Sequence, residues 1–186
     1  VVMVEEGADL SSIELPDDVT LIMAKDTREA LAICSCNFYE NPSKKFKLIG
    51  VTGTKGKTTT TFMIKEILEK AGHKVGLIGT IATYINGRMV SESSRTTPES
   101  IELQKTFAQM VEDGVEYVVM EVSSQSLKLH RVDGCAFDIV LFTNFSEDHI
   151  SEKEHPNMQD YFESKLKLFK MCDNGIINVD DIQVAK

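Results

Sequence analysis

The run Ile49-Gly50-Val51-Thr52-Gly53-Thr54-Lys55-Gly56-Lys57-Thr58-Thr59 constrains the fold more than any other part of the chain. An apolar stretch rich in β-formers enters a glycine-bounded loop, and a lysine and hydroxyls then open a helix. Such a loop aims backbone N–H groups and a helix N-terminus at one point, which is what a bound polyphosphate needs. In that reading Gly53 to Thr59 cradle ATP, Lys57 brings a mobile cation to the terminal phosphates, and the Thr58 hydroxyl is a ligand for Mg²⁺. A strict Walker loop would place its first glycine at Val51; here Gly53 stands three residues before Gly56, so the loop is a shortened variant. The alternative is a plain glycine-rich turn, but the strand before it and the helix after it favour the phosphate reading.

An anionic ligand would have to be held against the field of the whole chain. Twenty-nine acidic residues outnumber twenty basic ones in 186, for a formal charge of −9. That balance argues against a broad nucleic-acid or membrane surface and leaves the work to local groups such as Lys57 and Arg131. The four cysteines (Cys34, Cys36, Cys135, Cys172) have neither metal-ligand spacing nor the density of a disulfide scaffold, which suits a reducing cytoplasm. No apolar run reaches the length of a membrane span, and no signal peptide is expected. The chain opens on Val in mid-pattern and stops soon after Asp181, so both ends look cut from something longer.

Residues 1–47 read as strand, loop, strand (Val19 to Ala24) and helix. Asp26, with Glu29 three residues on, marks an N-cap for the run Ala30 to Tyr39. Pro42-Ser43-Lys44-Lys45 reads as a linker and a domain boundary. Beyond the phosphate loop, Met63, Ile64, Ile67, Leu68 and Ala71 recur at helical spacing and Gly72 supplies the stop. Val75 to Ile81 is the next strand, and Asn86-Gly87 signals a hairpin. Pro98 fits the first turn of a helix capped by Thr97 and ending at Gly114. Tyr117–Val122 and Phe137–Phe142 are nearly continuous apolar runs of the kind found in parallel strands buried on both faces. The expectation is an α/β fold. Residues 48–186 form the first part of a doubly wound P-loop domain with a mostly parallel sheet, and residues 1–47 the end of a small α/β domain.

In such sheets ligands bind beyond the carboxyl ends of the strands. Besides the phosphate loop, two polar clusters fall at those ends: Glu121-Val122-Ser123-Ser124 and Thr143-Asn144-Phe145-Ser146-Glu147-Asp148-His149. If the strands are neighbours, Glu121, His149 and Thr58 converge beside one triphosphate. A carboxylate and a hydroxyl suit Mg²⁺ well, an imidazole less so. Taken singly, each has a plainer reading: Glu121 as a helix cap, Asp148-His149 as a solvated turn, Ser123-Ser124 as N-cap residues. No G-x-S-x-G surrounds the serines, which argues against a hydrolase nucleophile.

Four motifs in order, Gly53-Thr54-Lys55-Gly56-Lys57-Thr58-Thr59, Thr96-Thr97-Pro98-Glu99, Met120-Glu121-Val122-Ser123-Ser124 and Asn144-(x)₃-Asp148-His149, resemble the successive signatures of the Mur ligases. The narrower likeness is to the UDP-N-acetylmuramoyl-tripeptide synthetase branch, and it covers nearly the whole chain. The resemblance implies an ATP loop at Gly53 to Thr59 and a nucleotide-sugar peptide held by Thr96, Thr97, Ser123 and Arg131. It implies Mg²⁺ ligands at Glu121 and His149, with Thr58, and a carbamylated lysine at Lys165 as a further ligand. Read without the resemblance, Lys165 would be an ordinary exposed helix lysine. Lys55 replaces the family's usual Asn, Gln125 replaces a usual His, and the segment between His149 and Lys165 is two residues longer. With His155-Pro156, these departures incline the sequence toward the lysine-adding rather than the diaminopimelate-adding branch. Leu129 stands where some members place a polar substrate contact.

The implied activity is ATP-dependent amide formation, in which lysine or diaminopimelate is added to UDP-MurNAc-L-Ala-D-Glu through an acyl phosphate, in the cytoplasm. Lys57, Lys165, Glu121 and His149 serve the phosphoryl-transfer step. Partners are the UDP-MurNAc-dipeptide and an amino acid, with neither nucleic acid nor membrane, and no oligomer is implied. The rivals are a sister ligase such as folylpolyglutamate synthetase, a small P-loop kinase or GTPase, and a non-catalytic ATP-binding fragment. A kinase or GTPase would carry a strict loop and a strand-ending Asp, where this chain has Glu121.

Overall fold

The computed structural model describes residues 1–152 and 154–185. A two-stranded parallel sheet of β1 (Val2–Glu5) and β2 (Leu21–Ala24) leads into α1 (Thr27–Phe38). As expected, Asp26 caps α1, its carboxylate accepting from the N–H groups of Arg28 and Glu29. Ala32 and Cys36 are buried, and α1 packs along α3 (Ser100–Glu112). The segment expected as a linker holds a 3₁₀ turn, Pro42–Lys44, with Pro42 and Ser43 buried. Ser43 Oγ accepts from Ala136 N at 3.2 Å, so this connection is bonded into the rest of the molecule.

The second sheet has seven strands in the order β6-β5-β4-β7-β3-β8-β9. They are β3 (Lys47–Thr52), β4 (Val75–Ile78), β5 (Ala82–Ile85), β6 (Arg88–Glu92), β7 (Tyr117–Glu121), β8 (Phe137–Phe142) and β9 (Cys172–Ile177). Strands β4, β7, β3, β8 and β9 are mutually parallel, whereas β5 and β6 form the antiparallel hairpin turned by Asn86 and Gly87, both at positive φ. Strand β4 stops at Ile78, short of the expected Ile81, because the chain leaves the sheet at Gly79.

Alternate residues of the central strands face opposite sides, as period-2 geometry requires. Leu48, Val118, Met120 and Val140 pack with Leu103, Phe107 and Met110 of α3, while Ile49, Val51, Val75 and Val119 meet Ile64 and Leu68 of α2 (Lys57–Lys70). Helices thus cover both faces, which explains the unbroken apolar runs of β7 and β8. Burying a side chain such as Leu103 or Phe107 is worth roughly 1.5–3 kcal/mol relative to leaving it exposed. Met63 and Ile67 share the helical spacing of α2 but face outward, at 60% and 65% exposure. The chain continues through α4 (Ser124–Lys128), α5 (Met158–Leu166) and, after β9, the short α6 (Ile182–Ala185). Among the described residues no helix is long and apolar enough to cross a membrane.

The register matters most for the site. Val51 pairs with Glu121 on one side and with Leu141 on the other, so β7, β3 and β8 end level. The loops after them, starting at residues 122, 53 and 143, therefore lie side by side.

Candidate active site

Strand β3 delivers the chain into Gly53 (φ +146°) and Gly56 (φ +82°), and α2 begins at Lys57. Gly56 is the N-cap and no side chain caps the helix, so the first-turn N–H groups of this 14-residue helix are free to face an anion. Gly53 is obligatory for space as well as for φ. A Cβ there would collide with Thr143 Oγ1 and sit 3.2 Å from the backbone oxygen of Asn144. Asn144 brackets the loop: its Oδ1 accepts from Lys55 N and its Nδ2 donates to Lys55 O, both at 2.9 Å. Lys57 Nζ donates to Gly53 O at 2.9 Å and Thr54 O at 3.0 Å. Burial lowers its pKa, against the opposing pull of Glu121 and Asp148.

Glu121, fully buried at the end of β7, is held from three sides. Its Oε2 accepts from Thr58 Oγ1 at 3.0 Å and from Thr80 Oγ1 at 3.1 Å, and its Oε1 from Thr80 N at 2.9 Å. With its one proton on that carboxylate, Thr80 Oγ1 accepts from Thr96 Oγ1, 3.1 Å away. Thr97 is not the helix cap expected of it. Glu99 occupies the N-cap position of α3 without capping it. The buried Thr97 hydroxyl donates instead to Glu121 O at 2.9 Å and accepts from Ser123 N at 3.2 Å. Ser123 caps α4, accepting from Ser126 N at 3.1 Å.

Arg131 is buried and shares Glu99 with two other arginines. Its Nε lies 3.0 Å from Glu99 Oε1 as an ion pair but out of line for a hydrogen bond, while Arg95 Nη1 approaches the same oxygen at 2.6 Å. Arg28 of α1 stands 3.7 Å from Glu99 Oε2. One carboxylate among three guanidinium groups leaves positive charge available to a ligand.

Lys165 departs most from its plain sequence reading. On α5 it is 1% exposed, its Nζ donates to Gly53 O at 2.9 Å, and it lies over the Tyr161 ring, 4.4 Å from the centroid. Burial, helped by the nearby Lys57 charge, lowers its pKa to about 7. Tyr161 OH in turn donates to Thr54 Oγ1 at 3.3 Å, tying α5 to the phosphate loop. His149, at φ +58°, is exposed, and its Nδ1 lies 3.0 Å from Glu154 Oε2.

A cavity of about 230 Å³ joins these groups, with Lys57, Thr96, Ser123, Arg131, His149 and Lys165 in its wall beside Arg95. Of the expected site residues, Lys57, Thr96, Ser123, Arg131, His149 and Lys165 line the cavity, the Thr58–Glu121 pair lies two hydrogen bonds from it through Thr80 and Thr96, and the rest of the phosphate loop and Thr97 lie outside its wall. The Thr58–Glu121 pair offers the hard oxygen donors that Mg²⁺ takes. Among the described residues no three His, Cys, Asp or Glu side chains form a metal cage. His149 is not bonded to either member of that pair; it is engaged by Glu154.

Sequence reasoning missed Thr80, Arg95 and the buried His155. Thr80 carried a usable signal, since it follows a glycine at the end of an apolar strand, where ligands of such sheets gather. Arg95 had none, and His155 entered only with Pro156 as a mark of the branch.

A family model for the Mur ligase middle domain matches residues 51–186. Curated relatives named UDP-N-acetylmuramoyl-L-alanyl-D-glutamate–2,6-diaminopimelate ligase include that of Clostridium botulinum, 56% identical over 173 residues, 93% of this chain and 35% of that protein. The one from Corynebacterium glutamicum is 48% identical over 166 residues, 87% of this chain and 32% of that protein. The chain therefore spans about a third of the length of the curated relatives it matches. A solved structure of a ligase of the same name superposes with a TM-score of 0.77 at 24% identity, covering 92% of this chain and 35% of that one. Mycobacterium tuberculosis folylpolyglutamate synthase, complexed with ADP and AMPPCP, gives 0.62 at 13% identity, covering 75% and 38%. At those identities the two structures speak for the fold alone.

Proposed function

The chain belongs to the Mur ligase family, and on that premise we propose that it is the nucleotide-binding part of an ATP-dependent amide ligase of peptidoglycan synthesis. The substrates are UDP-MurNAc-L-Ala-D-Glu, ATP and an amino acid, and the compartment is the cytoplasm. The diaminopimelate named for the relatives makes that amino acid the first to test. Lysine, toward which Lys55, Gln125 and His155-Pro156 incline the sequence, is the second. Residues 1–47 belong in this reading to the preceding substrate domain, and residues 48–186 to the central domain. By itself the 186-residue chain is expected to bind nucleotide without turning it over.

The observation that carries the reading is the convergence of Lys57, Arg131 and Lys165 on one cavity beside the phosphate loop, in a chain of net charge −9. In the first step a substrate carboxylate attacks the γ-phosphate, giving an acyl phosphate and ADP. Charge grows on the transferring phosphoryl oxygens, where Lys57 and the α2 N-terminus stabilise it. Arg131, Thr96 and Ser123 orient the nucleotide-sugar peptide, and Thr97 fixes Ser123 through its backbone N–H. Such orientation is worth up to about 7–11 kcal/mol of barrier in the best cases. Mg²⁺, held by Glu121 and Thr58, would neutralise phosphate charge. His149 would have to leave Glu154 to join it. Lys165 is the candidate for carbamylation: its depressed pKa leaves a share of neutral amine at physiological pH, and CO₂ adding to that amine, with release of one proton to solvent, would give an anionic oxygen ligand.

The test is ADP release by the full-length ligase, given UDP-MurNAc-L-Ala-D-Glu and each amino acid, beside Lys57→Ala. Release with one amino acid, lost in the variant, supports the reading. No release from a folded, ATP-binding protein turns attention to a sister ligase. Amino-acid-dependent release by the 186-residue chain alone would overturn the expectation that it is inactive.

A further inference from the structure

The cavity wall contains an arrangement that the phosphoryl-transfer step does not use. His155 is completely buried. Its Nδ1 lies 2.6 Å from Asp160 Oδ2 and its Nε2 lies 2.9 Å from Ser124 Oγ. Asp160 Oδ2 also accepts from Lys128 Nζ at 2.8 Å, and Lys128 Nζ reaches Glu154 O at 3.1 Å. A carboxylate on Nδ1 assigns the proton there, so Nε2 is the acceptor and the Ser124 hydroxyl is its donor. Hydroxyl, imidazole and carboxylate in this order constitute the geometry by which proteins move a proton off a hydroxyl-bearing atom and back. Ser124 and His155 both line the cavity shared with Lys57, Arg131 and Lys165. No structural need demands all three groups: a buried apolar side chain would join α4 to α5 without desolvating an imidazole.

We propose that Ser124, His155 and Asp160 form a proton relay for the amide-forming half of the reaction. The proposal rests on the ligase reading above. The neutral amine of the incoming amino acid attacks the acyl phosphate carbonyl and forms the new C–N bond. The attacking nitrogen must then lose a proton, and the departing phosphate must gain one. Ser124 Oγ takes the proton from nitrogen as its own passes to His155 Nε2, and Asp160 stabilises the resulting imidazolium. As the C–O bond to phosphate breaks, the proton returns through Ser124 to the leaving oxygen. Acyl phosphate and amine become amide and hydrogen phosphate, with no other reactant. Ser124 is the catalytic residue here, and His155 and Asp160 are positioning and proton-holding residues behind it.

The two half-reactions separate this role from a structural one. Acyl phosphate formation is read, without amine, as positional isotope exchange in bridge-labelled ATP supplied with UDP-MurNAc-L-Ala-D-Glu. Amide formation is read as product release with diaminopimelate or lysine. In the full-length ligase, His155→Gln and Asp160→Asn are expected to keep exchange within about threefold of wild type while amide formation falls about 100-fold or more. Ser124→Ala, a smaller change that leaves the His155–Asp160 pair intact, should show the same split. Loss of both half-reactions together in Ser124→Ala, or loss of neither, overturns the relay. Absence of exchange in the wild-type enzyme overturns the ligase reading itself, and the relay with it.

Discussion

Gly79 lies directly against the carboxylate of Glu121. A Cβ at that position would strike Glu121 Oε1 and stand 3.2 Å from Cδ. That oxygen cannot simply swing away, because Thr80 N donates to it, while Thr58 and Thr80 hold its twin. The glycine is therefore a mould for the one acidic group that faces Thr58. Gly79→Ala is expected to displace the carboxylate and cost about 1–3 kcal/mol. It should also weaken Mg²⁺-dependent ATP binding more than Mg²⁺-free binding. Chemical denaturation and calorimetric titration with and without the metal check this, and an equal loss in both titrations would deny Glu121 its role.

Thr97 holds two buried backbone groups of the β7 exit with one hydroxyl. Thr97→Val keeps the shape but leaves Glu121 O and Ser123 N without that partner, a loss of about 2–3 kcal/mol. Thr97→Ser should recover most of it. Melting and urea curves of the three proteins decide the matter; a serine variant as weak as the valine one would point to the methyl group instead.

Asn144 makes bonds that lie at the surface, so its removal should cost little stability and much order. Asn144→Ala is expected to lower ATP affinity about tenfold, since the loop would no longer be held in its binding shape by both edges of Lys55. Unchanged affinity would mean that Gly53 and α2 shape the loop unaided.

Lys165 makes stability depend on pH in an unusual direction. Its pKa falls from the ordinary lysine value of 10.5 to about 7 in the fold, so between those values the unfolded chain binds more protons than the folded one. Stability therefore rises with pH across that window, by up to ~1.4 kcal/mol per pH unit from this group. Lys165→Met removes the contribution. Urea unfolding at pH 7.5 and 9.5 should show a gain of about 2.5 kcal/mol in the wild type relative to the variant. Parallel pH profiles would show that Lys165 is not a buried amine.

The sequence by itself determined most of the elements and the strand ends at which the expected site residues lie. Local causes suffice for these: the Asp26 cap, the Asn86-Gly87 turn, the glycines of the phosphate loop, and the apolar runs of β7 and β8 that only a doubly covered sheet can bury. Where a local signal misled, a distant partner had intervened. Thr97 looked like a cap for α3, but its hydroxyl is taken by β7.

Tertiary structure decided the surroundings of Lys165 and His155. Nothing in α5 distinguishes Lys165 from an exposed helix lysine, because burial is conferred by the phosphate loop 112 residues away in sequence. His155 meets Ser124 across 31 residues, and Glu121 meets Thr58 across 63. Charge, desolvation and proton position are properties of neighbours in space, and only the order β4-β7-β3-β8 brings those neighbours together.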